Sequence, residues 1–372
     1  MGVRKGTLES LVNPAAGYWK DRSVFLTGHT GFKGGWLALW LHRLGANVHG
    51  YALDPPTSPN LFDTVGVASL ISSDTRGNLA DLPRLTAAIA KAKPEVVFHL
   101  AAQPLVRESY RDPVGTFVTN AVGTAHVLEA SRVNQSVRTA IVITTDKVYQ
   151  NRETEQRYAE GDPLGGRDPY SASKASAEII TASYRASFFR GEGTRKLRVA
   201  SARAGNVIGG ADWAADRLVP DCVRAFQRRE SVQLRYPLSV RPWQHVLEPL
   251  SGYLRLAELL DSPSGNDFAA AWNFGPDDSS DATVRQIADS LAHLWGDGAR
   301  VEEVPSATNP HEAEILRLDS TRARDCLGWK PRWALKVALV ETVAWYRAWS
   351  RGEDMARVSI DQIQTYESAG SN

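Results

Sequence analysis

The chain has 372 residues, 43% of them hydrophobic, and a formal net charge of +1. Such a composition folds around one large core or two domains and is not that of a disordered chain. The near-neutral charge gives no electrostatic basis for holding nucleic acid, and no apolar run approaches the roughly 20 residues of a membrane span.

Residues 1–20 lack the apolar core of a secretory leader, and Gly6 stands where a myristoylation signal needs Ser or Thr. The two cysteines, Cys222 and Cys326, have neither metal-ligand spacing nor a disulfide framework. The expectation is a cytoplasmic protein without a metal site, with both cysteines as small buried hydrophobes.

Residues 23–27 (Ser-Val-Phe-Leu-Thr) read as a short buried strand. Gly28-His29-Thr30-Gly31-Phe32-Lys33-Gly34 follows, then the helix-period run Trp36-Leu37-Ala38-Leu39-Trp40-Leu41. A second strand over 48–53 closes on Asp54. Strand, glycine turn, helix, strand and acidic residue together describe a dinucleotide site. The glycines allow a tight turn and a close approach of backbone to pyrophosphate at a helix N-terminus. Asp54 is placed to take a ribose 2′-hydroxyl, and its charge would repel the 2′-phosphate of NADP. No arginine follows it directly; Pro55 and Pro56 do. The cofactor expected is therefore NAD.

Residues 95–103 form an apolar strand running into Ala101 and Ala102, whose small side chains let a cofactor reach the backbone. Another buried strand over 139–145 ends on Thr144 and Thr145, with Asp146 and Lys147 beyond it. Ligands of open α/β sheets lie beyond the carboxyl ends of the strands, so Gly28, Ala102, Thr145 and Asp146 should face one crevice. Tyr170 and Lys174 are four apart and share one helix face. A lysine there favours the phenolate of a group whose ordinary pKa is about 10. This pair suits removal of a hydroxyl proton while hydride leaves the same carbon. Asp146 and Lys147 add a second acid/base pair, and two pairs suggest chemistry beyond a single hydride transfer.

After Arg203-Ala204-Gly205-Asn206-Val207-Ile208-Gly209-Gly210 the alternation of strand and helix weakens, and Pro and Trp become common. A smaller lobe is expected here. A helix over 248–260 and a strand over 272–274 should return to the large domain. Residues 261–267 read as a surface loop, and a helix over 335–349 should end the core, with Trp345 and Trp349 as packing residues. Asn206, Asp212, Asp216, Arg217 and Arg241 are the polar candidates for a phosphorylated ligand, with surface ion pairing as the other reading. An arginine fork suits a diphosphate, and the segment at Leu218, Val219 and Pro220 could read a pyrimidine edge.

These motifs resemble the extended short-chain dehydrogenase/reductase superfamily, and within it the nucleotide-sugar epimerase/dehydratase family. The similarity runs from Trp19 to about Gln364 and is carried by the glycine loop, Ala101-Ala102-Gln103-Pro104-Leu105-Val106-Arg107, and Asp168-Pro169-Tyr170-Ser171-Ala172-Ser173-Lys174. The block from Arg203 to Gly210, the Arg241-Pro242-Trp243-Gln244-His245 block and Trp272-Asn273-Phe274-Gly275-Pro276 add to it. Lys147 is the sharper sign, because dTDP-glucose dehydratases usually carry glutamate there.

The resemblance implies a Rossmann-type doubly wound parallel α/β sheet over 1–205, with returning segments near 244–275, and a mixed α/β substrate lobe over 206–372. It implies a 4,6-dehydration of CDP-glucose, with another nucleotide-sugar 4,6-dehydratase or an epimerase as the alternative. A non-catalytic dinucleotide sensor of the same fold is a further rival, against which intact Thr145, Tyr170 and Lys174 stand. The implied catalytic residues are Thr145, Asp146, Lys147, Tyr170 and Lys174. NAD would lie on Gly28, Thr30, Gly31, Phe32, Gly34, Asp54, Asn78, Leu79, Ala101, Ala102, Gln103, Asn120, Tyr170 and Lys174, with Asn78 where an aspartate is usual. Substrate would meet Gln103, Arg107, Asn206, Arg217, Leu218, Val219 and Arg241. The implied assembly is a homodimer or homotetramer.

Overall fold

Apolar runs bounded by glycine and polar turns become the strands of one parallel sheet. A computed structural model of the protein describes residues 13–189, 197–277, 280–303 and 315–369. The strands are β1 (Ser23–Thr27), β2 (Asn47–Ala52), β3 (Ser73–Arg76), β4 (Val96–His99), β5 (Thr139–Ile143), β6 (Arg198–Arg203) and β7 (Ala271–Asn273). Their spatial order is β7-β6-β5-β4-β1-β2-β3, a doubly wound sheet with the chain reversing direction across it between β1 and β4.

Side chains alternate across such a sheet, and both faces are covered by helices. Val24, Leu26, Val96, Phe98, Ile141 and Ile143 point into one core. That core is completed by α1 (Phe32–Arg43), with Trp36 and Trp40 fully buried. Phe25, Val97, Ala140 and Val142 point into the opposite core, against Leu85 and Ile89 of α2 (Leu82–Ala92) and Val127 and Leu128 of α3 (Gly123–Val133). The long helix α4 (Pro169–Phe188) starts where Asp168 accepts a hydrogen bond from the Ser171 amide and Pro169 fills the first turn. Such a cap is worth about 1 kcal/mol, and it fixes the start of the turn that carries Tyr170.

Beyond the main sheet the chain forms two-strand pieces. Ser231–Leu234 pairs with Arg300–Glu303 in parallel, and Val240–Pro242 pairs with Asp281–Thr283 antiparallel. Helices α5 (Leu218–Gln227) and α7 (Val284–Trp295) pack against each other. Between them in sequence, α6 (Leu247–Leu260) crosses back to lie on β5 and β6, and β7 joins β6 in parallel.

Three expectations need correcting. The core does not end with α8 (Leu335–Ser350); a further helix, α9 (Met355–Ser368), folds back and buries Ile363 and Tyr366. Its sequence is polar over most of its length, so its narrow apolar stripe is easily missed. Cys222 is buried, but Cys326 is exposed. Asp212 is not a surface residue: it is buried and paired with Arg217. Trp345 is fully buried, and the Trp349 ring lies 4.7 Å from that of Trp213, so both act in packing.

Candidate active site

A cleft of about 720 Å³ runs along the carboxyl ends of the central strands and on to residues between 204 and 243. Its dinucleotide end is shaped by missing side chains. Gly28 has φ +78°, and a Cβ there would lie 2.6 Å from the Ala101 amide nitrogen. At Gly34 a Cβ would fall 2.0 Å from the Gly28 carbonyl oxygen, so this glycine lets α1 sit against the turn. Gly31 caps α1 and meets nothing nearer than 3.4 Å, leaving the helix N-terminus open to the cleft. That combination fits a pyrophosphate. Thr30 turns its hydroxyl to the Leu53 carbonyl at 3.0 Å, while Phe32, Ala101, Ala102 and Leu79 line the walls.

Asp54 lines the cleft beyond β2, with 88% of its side chain exposed, 3.6 Å from Arg76 Nε. No arginine follows Asp54 in the sequence, yet Arg76 stands beside it in space. Asn78, the adenine candidate, spends its carbonyl Oδ1 on the Ala80 amide and presents the rest of its exposed side chain to the cleft.

The reacting end is set by β5 and α4. Beyond β5, Thr145 donates to Asp146 Oδ1 at 2.8 Å and accepts from the Lys147 amide at 3.4 Å, which closes a single tight turn. Asp146 is buried, and Asn206 Nδ2 stands 3.4 Å from its second oxygen. Gly205 makes room for that carboxylate: a Cβ there would be 1.8 Å from Asp146 Oδ2. From α4 come Tyr170 and Lys174, both buried and both lining the cleft. Lys174 Nζ donates to the Ile143 carbonyl at 3.1 Å. Four residues further along the same face, Glu178 accepts from Thr144 at 2.5 Å, Ser201 at 2.6 Å and Arg203 at 3.0 Å. The turn carrying Asp146 and the helix carrying Tyr170 are thus tied together behind the cleft.

The electrostatics differ from expectation. Burial pushes the Tyr170 phenol up to about 12, with the Thr145 hydroxyl pulling the other way and Asp146 adding to the rise. Burial, with Lys33 nearby, brings the Lys174 ammonium down to about 8. Desolvation therefore outweighs the help Tyr170 was expected to receive from the lysine. Lys33, which the motif includes without assigning it a role, is half-buried and lines the cleft. Its pKa falls to about 8 through burial and Arg217, against Asp146 and Asp212.

Arg107, Asn206, Arg217, Leu218, Val219 and Arg241 all line the far end. Arg217 pairs with Asp212 at 2.9 Å, and Arg241, buried on the strand Val240–Pro242, donates to the Val240 carbonyl. Asp216 bridges the mouth, 3.7 Å from Arg107 on the sheet side and 2.5 Å from Arg235 on the other. Arg235 also lines the cleft, and nothing in its sequence neighbourhood marks it. Gln103 and Asn120 need correcting: neither lines the cleft. Gln103 folds its amide onto Leu105 and Thr116, and Asn120 bonds both backbone groups of Gln103 and the Ser173 hydroxyl. They brace the loop after β4 against α4. Backbone groups of that loop would otherwise be buried without partners. Among the described residues, no cluster of three or more His, Cys, Asp or Glu could hold a metal, and no helix is long and apolar enough to cross a membrane.

Residues 25–342 match the family model described as GDP-mannose 4,6 dehydratase. The chain belongs to the GDP-mannose 4,6 dehydratase family. Among curated relatives, a CDP-glucose 4,6-dehydratase of Salmonella typhimurium is 49% identical over 354 residues, covering 95% of this chain and 98% of that protein. A dTDP-glucose 4,6-dehydratase of Streptomyces antibioticus is 30% identical, over 73% of this chain and 75% of that one. Solved structures share the fold seen here. The dTDP-glucose 4,6-dehydratase of Bacillus anthracis, in complex with NAD, superposes with a TM-score of 0.73 at 19% identity, over 89% of this chain and 98% of that one. The UDP-glucose 4-epimerase of Thermotoga maritima, with UDP-glucose, gives 0.74 at 23% identity, over 88% and 99%.

Proposed function

We propose that this chain dehydrates CDP-glucose to CDP-4-dehydro-6-deoxyglucose, a lyase reaction with NAD as cofactor. The observation that carries this reading is the meeting of Thr145, Asp146, Lys147, Tyr170 and Lys174 in one cleft with an open helix N-terminus, in a chain 49% identical to a CDP-glucose 4,6-dehydratase. The glycine turn, Asp54, Asn78, Leu79 and the Ala101-Ala102 strand end would hold the dinucleotide. NAD supplies acceptance of the C4 hydride and its return at C6, so the overall reaction has no net oxidation.

The proton steps belong to the chain. Tyr170 takes the proton of the C4 hydroxyl in its phenolate form, which burial opposes and which the Thr145 hydroxyl and Lys174 one helical turn away favour. The resulting ketone acidifies the C5 hydrogen. Lys147 receives that proton or holds the developing enolate, and Asp146 protonates the departing C6 hydroxyl. The C5 proton is replaced when hydride reaches C6. Arg241 and Arg217 grip the diphosphate by charge-assisted hydrogen bonds, and Leu218 and Val219 face the base. This assignment of roles rests on the placement of each side chain in the cleft.

The catalytic unit is proposed to be a homo-oligomer in the cytoplasm. Its contact face would be the apolar stripe of Val114, Phe117, Val118 and Val122 beside Ile179 on α4, all exposed in the single chain. Light scattering at micromolar concentration checks this, and a monomer would refute it. The reaction itself is tested by incubating the protein with CDP-glucose and with dTDP-glucose and following the 4-keto-6-deoxy product by NMR. Product from CDP-glucose, lost in Tyr170→Phe by at least about 10²-fold, is the expected result. No product from CDP-glucose, or faster conversion of dTDP-glucose, refutes the assignment.

A further inference from the structure

The parallel register of β2 and β3 sets Ala52 beside Arg76. The chain leaving β2 at Leu53 and Asp54 therefore passes directly over the Arg76 side chain. The guanidinium is held by four contacts. Its Nη1 donates to the Leu53 carbonyl at 3.1 Å, and its Nη2 donates to Asp74 Oδ2 at 2.9 Å. Its Nε faces Asp54 Oδ1 at 3.6 Å, and its plane lies 4.7 Å from the Phe62 ring centroid. Asp54 lines the cleft and Arg76 does not. The Asp54 carboxylate is thus the contact between a preformed cation and the place where an adenosine ribose would lie.

We propose that Arg76 is a latent 2′-phosphate ligand masked by Asp54, and that this ion pair sets the choice between NAD and NADP. The inference rests on the NAD reading given above. Asp54 can accept the ribose 2′-hydroxyl, and it opposes a phosphate at the same position by like charge. The Arg76 Nε–H behind it could donate a charge-assisted hydrogen bond to a phosphate at that position. Only Nε faces Asp54, so loss of that carboxylate frees this N–H while the contacts to Leu53, Asp74 and Phe62 remain. Asp54 is exposed and takes no part in the core, so its replacement leaves the fold intact.

The test is calorimetric binding of NAD and NADP, and of 5′-ADP and 2′,5′-ADP, to nucleotide-free wild type, Asp54→Asn, and Asp54→Asn with Arg76→Gln. Wild type should prefer NAD. In Asp54→Asn the NADP-to-NAD affinity ratio should rise at least about tenfold, and 2′,5′-ADP should gain over 5′-ADP in parallel. Adding Arg76→Gln should abolish most of that gain. An unchanged ratio in Asp54→Asn overturns the masking alone. A gain that survives in the double variant shows that relief of repulsion suffices, and it also overturns the role of Arg76. Wild type that binds NADP as tightly as NAD overturns the masking and the NAD reading together.

Discussion

Replacing Glu178 with glutamine should destabilise the protein and loosen the catalytic turn while leaving the substrate end untouched. Glu178 and Arg203 are 2% and 3% exposed, so their ion pair lies in the interior. The substitution keeps the volume and removes the charge, which leaves the guanidinium buried without a counter-charge. Breaking a buried pair from one side costs about 3–5 kcal/mol. Unfolding entropy of about 2.1 cal/mol/K per residue gives about 0.8 kcal/mol/K for this length. The melting midpoint should therefore fall by about 4–6 °C, read by circular dichroism at one fixed scan rate. Leucine at both Glu178 and Arg203 should recover part of that loss, because the orphaned charge is gone. The amide also disrupts acceptance from Thr144, the residue before the turn holding Thr145, Asp146 and Lys147. Small displacements at a reacting centre cost up to about 10²-fold, so kcat should drop while KM for CDP-glucose holds. A midpoint within 1 °C of wild type, or a KM that rises with kcat unchanged, would refute the argument.

Asp146→Asn should separate the half-reactions, with oxidation at C4 surviving and loss of water from C6 slowing. Rapid quenching should then find the 4-keto-glucose nucleotide accumulating, and equal slowing of every step would remove Asp146 from its role. Arg241→Ala should weaken CDP and CDP-glucose alike without creating a new base preference, and unchanged CDP affinity in titration calorimetry would take Arg241 out of the site. Burial raises the Glu248 carboxyl to about 7, against hydrogen bonds from Tyr366 and the Trp333 and Arg332 amides. A raised folded-state pKa means stability that is full below the ordinary carboxylate range and lost as pH climbs through 7, by about 3 kcal/mol in all. Urea denaturation at pH 5 and pH 8 should show that slope in wild type and a flattened one in Glu248→Gln.

What the sequence made legible was local. The glycine turn, the Thr-Asp-Lys step after β5 and the Tyr/Lys spacing on α4 are short-range patterns whose geometry follows from backbone chemistry alone. Their convergence followed from one rule, that ligands lie beyond the strand ends. What stayed hidden depends on register or on burial. Arg76 lies 22 positions from Asp54 and meets it only because β2 and β3 align as they do. Glu178 reads as one more polar helix residue until Arg203 arrives from a different strand. Gln103 and Asn120 were expected on the cofactor, yet backbone groups claim their amides first. The phenol of Tyr170 was expected to be acidified by Lys174, and the interior raises it instead, because spacing on a helix says nothing of how much water is removed.

The seventh strand has a consequence for synthesis. β7 completes the sheet beside β6, but 67 residues, α5 and α6 among them, separate the two strands in the chain. At roughly 5–20 residues per second of translation, the nascent sheet presents the open hydrogen-bonding edge of β6 for roughly 3–13 seconds before its cover emerges. An unpaired apolar edge is a template for wrong pairing, so the ribosome-bound chain is most vulnerable to aggregation in that interval. Slow codons between residues 204 and 270 would lengthen it.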